Sequence, residues 1–321
     1  MTYQIWPLQR KPGIDLLKYP KRRVSDIENI LADIYQGTYP VVTSSGRSAI
    51  TVAIQAFELG KVDRIGMPPF SSSCLYFCVG KTSVPVPGDI KQMVSAHLVY
   101  HQWGYASKVG GDKMKLEDGV DSICVSSDAL FPNNGIVEIL SLSKMLGVPM
   151  GGVAFFRSEV DAHRAKEIRD SRINMAWPQF LLCCGSAVSV ASGLLWHHAE
   201  SVNGILLDFL CGEIAYKLDK LNELIADRRE KLSLVSAMLS PAVNIRDSMR
   251  LPVAIPVPVE YDEKLFSLLR EDGFSTEQRH FNVSLDQDNW NLRKVLPLPI
   301  HQDVPIASVE KFCLRVLGRN K

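Results

Sequence analysis

Apolar positions along the chain fall into two periods. Ile27, Ile30, Leu31 and Ile34 recur at the spacing of one helix face, which predicts an amphipathic helix over 25–35 with Ser25 as its cap. Residues 49–59 repeat that spacing. Short apolar or alternating runs at 62–67, 84–87, 96–101, 122–126, 137–142 and 152–156 have the length of strands. Several are separated by segments long enough for a crossover helix, so the first half predicts a largely parallel sheet covered by helices on both faces. From 202 to 238 the pattern becomes long helix, with Leu218, Leu221, Leu224 and Ile225 on one face, Arg228 and Arg229 on another, and Pro241 closing it. A compact α+β segment follows: a strand over 251–257, a helix over 261–272, a turn at Gly273, strands near 279–283 and 293–297, and a last helix from about Ile306. The expected organisation is a large α/β domain over 1–240 and a small α+β domain over 241–321.

Composition excludes several classes. At 46% hydrophobic and 22% charged, the 321 residues have the make-up of a globular protein with a sizeable core. A formal net charge of +1 gives no footprint for nucleic acid or an anionic membrane. Lys21-Arg22-Arg23 is read as a solvated face before a helix. No apolar run reaches the roughly 18 residues of a membrane span; the nearest, Phe180 to Trp196, is broken by Gly185, Ser186, Ser189, Ser192 and Gly193. Seven cysteines, an odd number without a signal-peptide pattern, lead to an expectation of reduced thiols and a cytoplasmic location. Adjacent His197-His198 and Cys183-Cys184 would point to different faces of a helix, so no metal site is expected there. Cys74 and Cys78, at helical spacing, are read as core.

Candidate chemistry centres on Glu138 to Phe156, which carries Lys144 beside Ser141 and Ser143, then the turn Gly147-Val148-Pro149-Met150-Gly151-Gly152 and a second apolar strand. A fixed lysine with small neighbours and nearby hydroxyls is what a Schiff-base lysine needs to meet a flat, anionic cofactor. Upstream, Thr43-Ser44-Ser45-Gly46-Arg47-Ser48 opens a helix with small residues, where free backbone N–H groups and the helix dipole favour a phosphate. Ser122 to Asp128 reads as a strand ending in an aspartate, and ligands in open α/β folds bind at the carboxyl ends of strands. A phosphate cradle, then a strand-end acid, then a lysine flanked by serines resembles the order found in fold-type I pyridoxal 5′-phosphate enzymes.

Over residues 25 to 318 the chain further resembles the DegT/DnrJ/StrS sugar aminotransferases. Ser45-Gly46-Arg47-Ser48-Ala49 through Leu59-Gly60, Ile65 and Pro68-Pro69-Phe70 is similar to that family's small-residue helix start, strand and Pro-Ser-Phe-like loop. Val99-Tyr100-His101-Gln102-Trp103-Gly104 resembles its Val-His-x-x-Gly strand end. Leu218 to Arg229 looks like its helix ending in paired arginines, and Arg279-His280-Phe281 with Leu296 to His301 like its small domain. This resemblance implies a homodimer binding pyridoxal phosphate through Lys144, with Asp128 at the pyridine nitrogen. Ser45, Gly46, Arg47, Ser48, Ser141 and Ser143 would hold the phosphate, and Phe70 or Trp103 would stack on the ring. It also implies Phe131 beside the phenolic oxygen, and Arg172 and Asn174 on a loop near the partner's site. The small-molecule partners it implies are an amino donor such as glutamate or glutamine and a keto acceptor, a nucleotide-linked sugar among them.

The chain departs from the pattern in places. Arg47 stands where the family has Thr after the glycine, Ser71-Ser72-Ser73 replaces an aromatic stacker, and Phe131 replaces Gln or His three residues past the acid. These departures keep two alternatives open: lyase, racemase or dehydratase chemistry on the same cofactor, and a degenerate relative with a regulatory or binding role.

Overall fold

The computed structural model describes residues 2–7, 18–68, 71–88, 93–171, 204–243 and 249–318. Helix α1 (Val24–Ile34) buries Ile27 and Leu31, as its spacing requires. It starts one residue earlier than expected, because the Asp26 carboxylate accepts the Arg23 N–H at 2.8 Å; Ser25 lies inside the helix and exposed, and is not its cap. Next come β1 (Tyr39–Thr43), α2 (Gly46–Ala56), β2 (Arg64–Met67), α3 (Ser73–Thr82), β3 (Val84–Pro87), β4 (Ala96–Tyr100), β5 (Met114–Asp118), β6 (Ser122–Cys124), β7 (Val137–Leu140), the short α4 (Leu142–Leu146), β8 (Gly152–Phe156) and α5 (Glu159–Asp170).

Seven of these strands form one sheet in the order β1-β8-β7-β5-β4-β2-β3. Ladders joining β2, β3, β4, β5 and β7 are parallel, while β8 runs antiparallel to β1 and β7 on either side. Successive side chains go to opposite faces, so each central strand feeds two cores. Val42, Leu140, Val153 and Phe155 pack on the α1 side, whereas Val41, Ile139, Ala154 and Phe156 pack against α2, α3 and α5. Burial on both faces explains why these strands read as short continuous apolar runs.

The predicted strand over 122–126 is different. Only Ser122–Cys124 is paired as a strand, and it runs antiparallel to β9 (Arg250–Pro252), outside the large sheet. The expected long helix is two, α6 (Asp208–Asp219) and α7 (Leu221–Met238), broken at Lys220. After β9 come β10 (Ala254–Val257), α8 (Glu263–Glu271), β11 (Arg279–Asn282), β12 (Leu292–Pro299) and α9 (Ile306–Gly318). β10, β12 and β11 make an antiparallel sheet whose core takes in Val235 and Leu239 at the end of α7, Leu265, Phe266 and Leu269 of α8, and Val309 and Phe312 of α9.

Candidate active site

Lys144 sits on the turn that follows β7. The chain leaves the sheet at Leu140, and Ser141 caps α4 by accepting the Lys144 N–H at 3.4 Å, so the lysine occupies the first turn of a five-residue helix and not a strand. The Ser141 and Ser143 hydroxyls lie 3.0 Å apart beneath it. Gly147, at φ 67°, closes the helix in the left-handed region that favours glycine. The chain returns through Gly151, whose N–H donates to the Ser44 carbonyl at 2.9 Å. A Cβ on Gly152 would lie 2.2 Å from the Ser45 carbonyl carbon, so a side chain there would separate β8 from the start of α2. That close approach brings the lysine turn and the α2 N-terminus to one cavity of about 260 Å³.

At the α2 end, Ser45 is the cap and accepts the Ser48 N–H at 3.2 Å. Ser44, Ser45, Gly46 and Arg47 line the cavity; Ser48 lies below, 3.0 Å from the Ser44 hydroxyl, and does not line it. Gly46 leaves the helix start open, since a Cβ there would press to 3.1 Å from Val120 Cγ1.

The acid at the cavity is Asp118, the last residue of β5. It is 1% exposed, and among the described residues its carboxylate accepts only the Val120 N–H, at 3.2 Å. Burial, then the charge of Asp121, push its carboxyl up to about 7, against a smaller opposing pull from Lys144. Three residues on, Asp121 is the hub of the site. Its Oδ1 accepts the Lys144 Nζ at 2.8 Å and the Trp6 indole N–H at 2.7 Å, and its Oδ2 accepts the Tyr100 hydroxyl at 2.5 Å. The Asp121 side chain is 0% exposed and that of Lys144 30%. Lys144 Nζ also stands 4.8 Å from the centre of the Trp6 ring. Burial and the neighbouring Asp121 push the Tyr100 phenol well above its ordinary range, so it serves as a donor.

Several sequence expectations therefore need correction. Asp128 is not a strand-end acid: it lies exposed in a single 3₁₀ turn over Ser127–Ala129 and does not line the cavity. Phe131 is buried in the core with the Arg157 guanidinium 4.6 Å over its ring, also off the cavity. Trp103 packs against Phe281 at 5.0 Å in a separate cluster. Phe70, Arg172 and Asn174 lie outside the described residues, as do Cys183-Cys184 and His197-His198. Lys144, Ser45, Gly46, Arg47, Ser141 and Ser143 do share the cavity. Counted from Asp118, the position three past the acid is Asp121 and not Phe131. Asp118, Asp121, Tyr100, Trp6 and Ser44 were missed; the one local signal was Glu117-Asp118 ahead of Gly119, a strand end turning on a glycine.

The cavity suits pyridoxal phosphate. Asp118 is a buried carboxyl that no cation contacts among the described residues, the counterpart of a protonated ring nitrogen, and α2 offers an open helix start with hydroxyls and Arg47 for an anion. Lys144 reaches the same space. The model of a family described as "putative PLP-dependent aminotransferase" matches residues 27–317. The chain belongs to that family. No curated protein matches the sequence. Among solved structures, it is similar to NtdA from Bacillus subtilis with bound cofactor PMP, at TM-score 0.65 and 14% identity, covering 99% of this chain and 85% of that one. A DegT DnrJ EryC1 StrS aminotransferase from Brucella abortus matches at TM-score 0.61 and 13% identity, over 94% and 91% of the two chains. Helicobacter pylori PseC, an aminotransferase involved in the biosynthesis of pseudoaminic acid, matches at TM-score 0.61 and 13% identity, over 99% of each. At such identities the likeness shows the fold, that of fold-type I aminotransferases. Among the described residues no helix is long and apolar enough to cross a membrane, and no group of three or more His, Cys, Asp or Glu could hold a metal ion.

Proposed function

We propose that this PLP-dependent aminotransferase carries its cofactor on Lys144, with Asp118 facing the pyridine nitrogen and the α2 start, Ser44 to Arg47, holding the phosphate. The acceptor we propose is the keto group of a sugar, nucleotide-linked sugars included, and the donor is glutamate or glutamine. The carrying observation is that one small cavity holds a lysine amine, a buried acid that no cation contacts among the described residues, and an open helix N-terminus.

When bound, pyridoxal phosphate supplies an electron sink through which an amino group is exchanged for a keto group. The chain's own groups have separate duties. Asp118, enclosed beside a second carboxylate, gives up its raised proton affinity when a cation comes into contact, which makes it a strong anchor for a ring N–H⁺. The α2 N–H groups, with the hydroxyls of Ser44 and Ser45, fix an anion at the opposite end of the cavity. Lys144 Nζ, once free, holds and moves a proton at the reacting carbon, and the Asp121 carboxylate fixes where that nitrogen rests. Val120, Ile50 and Leu75 wall the cavity with apolar surface, which excludes water and strengthens these interactions.

The substrate reading rests on the resemblance to the DegT/DnrJ/StrS sugar aminotransferases, with a DegT DnrJ EryC1 StrS aminotransferase among the structures that share the fold. The homodimer rests on the family resemblance and on α3, whose Cys74 and Leu75 line the cavity while Tyr76 and Phe77 reach the surface at 38% and 47% exposure. The test is spectroscopic. Glutamate or glutamine should abolish the visible band of the cofactor-loaded protein, and a nucleotide-linked keto sugar should restore it. A band that persists with a broad set of amino donors would contradict transamination, and restoration only by keto acids would contradict the sugar acceptor. Sedimentation at micromolar concentration should give twice the chain mass.

A further inference from the structure

Asp121 lies behind the cavity lining and reaches it through Lys144, Trp6 and Tyr100, which line it. The resemblance places an uncharged Gln, or a His, three residues past the pyridine-binding acid, and this chain has a carboxylate there, wholly enclosed and joined to the catalytic amine at 2.8 Å. Trp6 and Tyr100 add one hydrogen bond each, at 2.7 and 2.5 Å, so the carboxylate is held by three donors at once. Two of those donors are neutral and come from separate parts of the chain, the N-terminal segment and the end of β4. Asp121 also adds its charge to the burial that raises Asp118. Among the described residues Lys144 is the cation in contact with Asp121, while the buried Arg228 acts on it from further away.

We infer that Asp121 is a positioning residue that holds the Lys144 amine in a hydrogen-bonded ion pair, unattached, and so biases the protein toward the amine form of its cofactor, pyridoxamine phosphate, over the aldehyde form. This rests on the cavity being the pyridoxal phosphate site. An ammonium offers three N–H donors that can turn to a carboxylate. Attachment of the aldehyde form makes a double bond from Nζ to the aldehyde carbon, and the aldehyde oxygen leaves as water with two of the ammonium protons. At most one N–H remains, on a nitrogen now tied to the cofactor carbon. Binding of the amine form makes no bond to Nζ and leaves the pair with Asp121 intact. The buried carboxylate then faces at most one N–H, tied to the cofactor and no longer free to turn toward it, in place of an ammonium with three, and that loss falls on the aldehyde form alone.

The experiment compares equilibrium binding of pyridoxal phosphate and of pyridoxamine phosphate to the ligand-free protein, by calorimetry or quenching of tryptophan fluorescence, in the parent and in Asp121→Asn. The ratio of the two dissociation constants removes whatever the forms share. In Asp121→Asn the ratio should move toward the aldehyde form by about tenfold or more, the scale on which a contacting opposite charge holds an ammonium. A ratio within twofold of the parent, or one moving toward the amine form, overturns the inference while leaving the cofactor site standing. If the parent binds neither form, the site reading itself fails and the inference with it. Should Asp121→Asn not fold, Trp6→Phe gives the test with opposite sign. Deprived of the indole N–H, the carboxylate leans harder on Lys144, and the ratio should move further toward the amine form. A parental ratio in Trp6→Phe, or one moving toward the aldehyde form, again overturns it.

Discussion

The duty that the sequence reading gives to Asp128 is the one we propose for Asp118. Asp118 is enclosed at the cavity and Asp128 is exposed on a turn. Asp118→Asn should therefore slow reaction of the loaded protein with an amino donor by about 100-fold, roughly 3 kcal/mol of lost transition-state stabilisation, whereas Asp128→Asn should stay within about twofold of the parent. The reverse ranking in stopped-flow traces would return the role to Asp128. The same residue sets a pH dependence. Its carboxyl rises from an ordinary 3.8 to about 7 on folding, so between those values the folded chain holds a proton that the unfolded chain has released. Its contribution to stability is then greatest at low pH and is lost as pH rises toward 7. Melting of the ligand-free protein near pH 4 and near pH 7 should show this loss, and Asp118→Asn should lack it. An equal pH response in both proteins would show that the shift is absent. Lys144 and its serines were legible because their spacing is local. Asp118 was not, because Met114 to Asp118 alternates charge with apolar side chains. Its buried Glu117 is accommodated by His101 at 3.0 Å and by the N–H groups of Asn133 and Gly135, partners that the linear pattern does not reveal.

The site depends on how two elements meet: the start of α2 and the head of β8. Gly152 has backbone where a side chain would go, its Cβ position being 2.2 Å from the Ser45 carbonyl carbon and 2.3 Å from the Gly46 nitrogen. Neither neighbour is a flexible side-chain tip that could move aside. Gly152→Ala should cost at least about 2 kcal/mol in urea unfolding and weaken cofactor retention together, since the clash drives the phosphate end away from Lys144. Unchanged stability would mean the two segments are less closely joined than they stand here. Other elements show where periodicity suffices. Val84–Pro87 and Gly152–Phe156 match their predicted runs because each is a short, bounded run. The run at 122–126 misled because apolar side chains also line a two-stranded ribbon: Ile123 and Cys124 are buried against Leu251 and the α1 core, off the main sheet. Period alone does not say which sheet a strand joins.

For the whole molecule, a largely parallel sheet in the first half and a compact α+β segment after it were legible in the sequence pattern, while β1 and β5 were not among the predicted runs. What the pattern could not supply was the meeting of distant segments, Trp6 with Asp121 above all, since nothing local marks a residue 115 positions away. A cavity assembled from so many segments couples binding to folding. Saturating pyridoxal phosphate, at about 100 times its dissociation constant, should stabilise the folded protein by about 2.7 kcal/mol, seen as a raised melting temperature. Lys144→Ala should retain part of that gain through the phosphate end; no gain in either protein would contradict a site at this cavity. The central claim is that Lys144 carries the cofactor, and the most direct measurement is borohydride reduction of the pyridoxal phosphate-treated protein followed by peptide mapping. One modified peptide, bearing the label on Lys144 and absent from Lys144→Ala, is the predicted result. Label on any other lysine, or on none, would contradict the account.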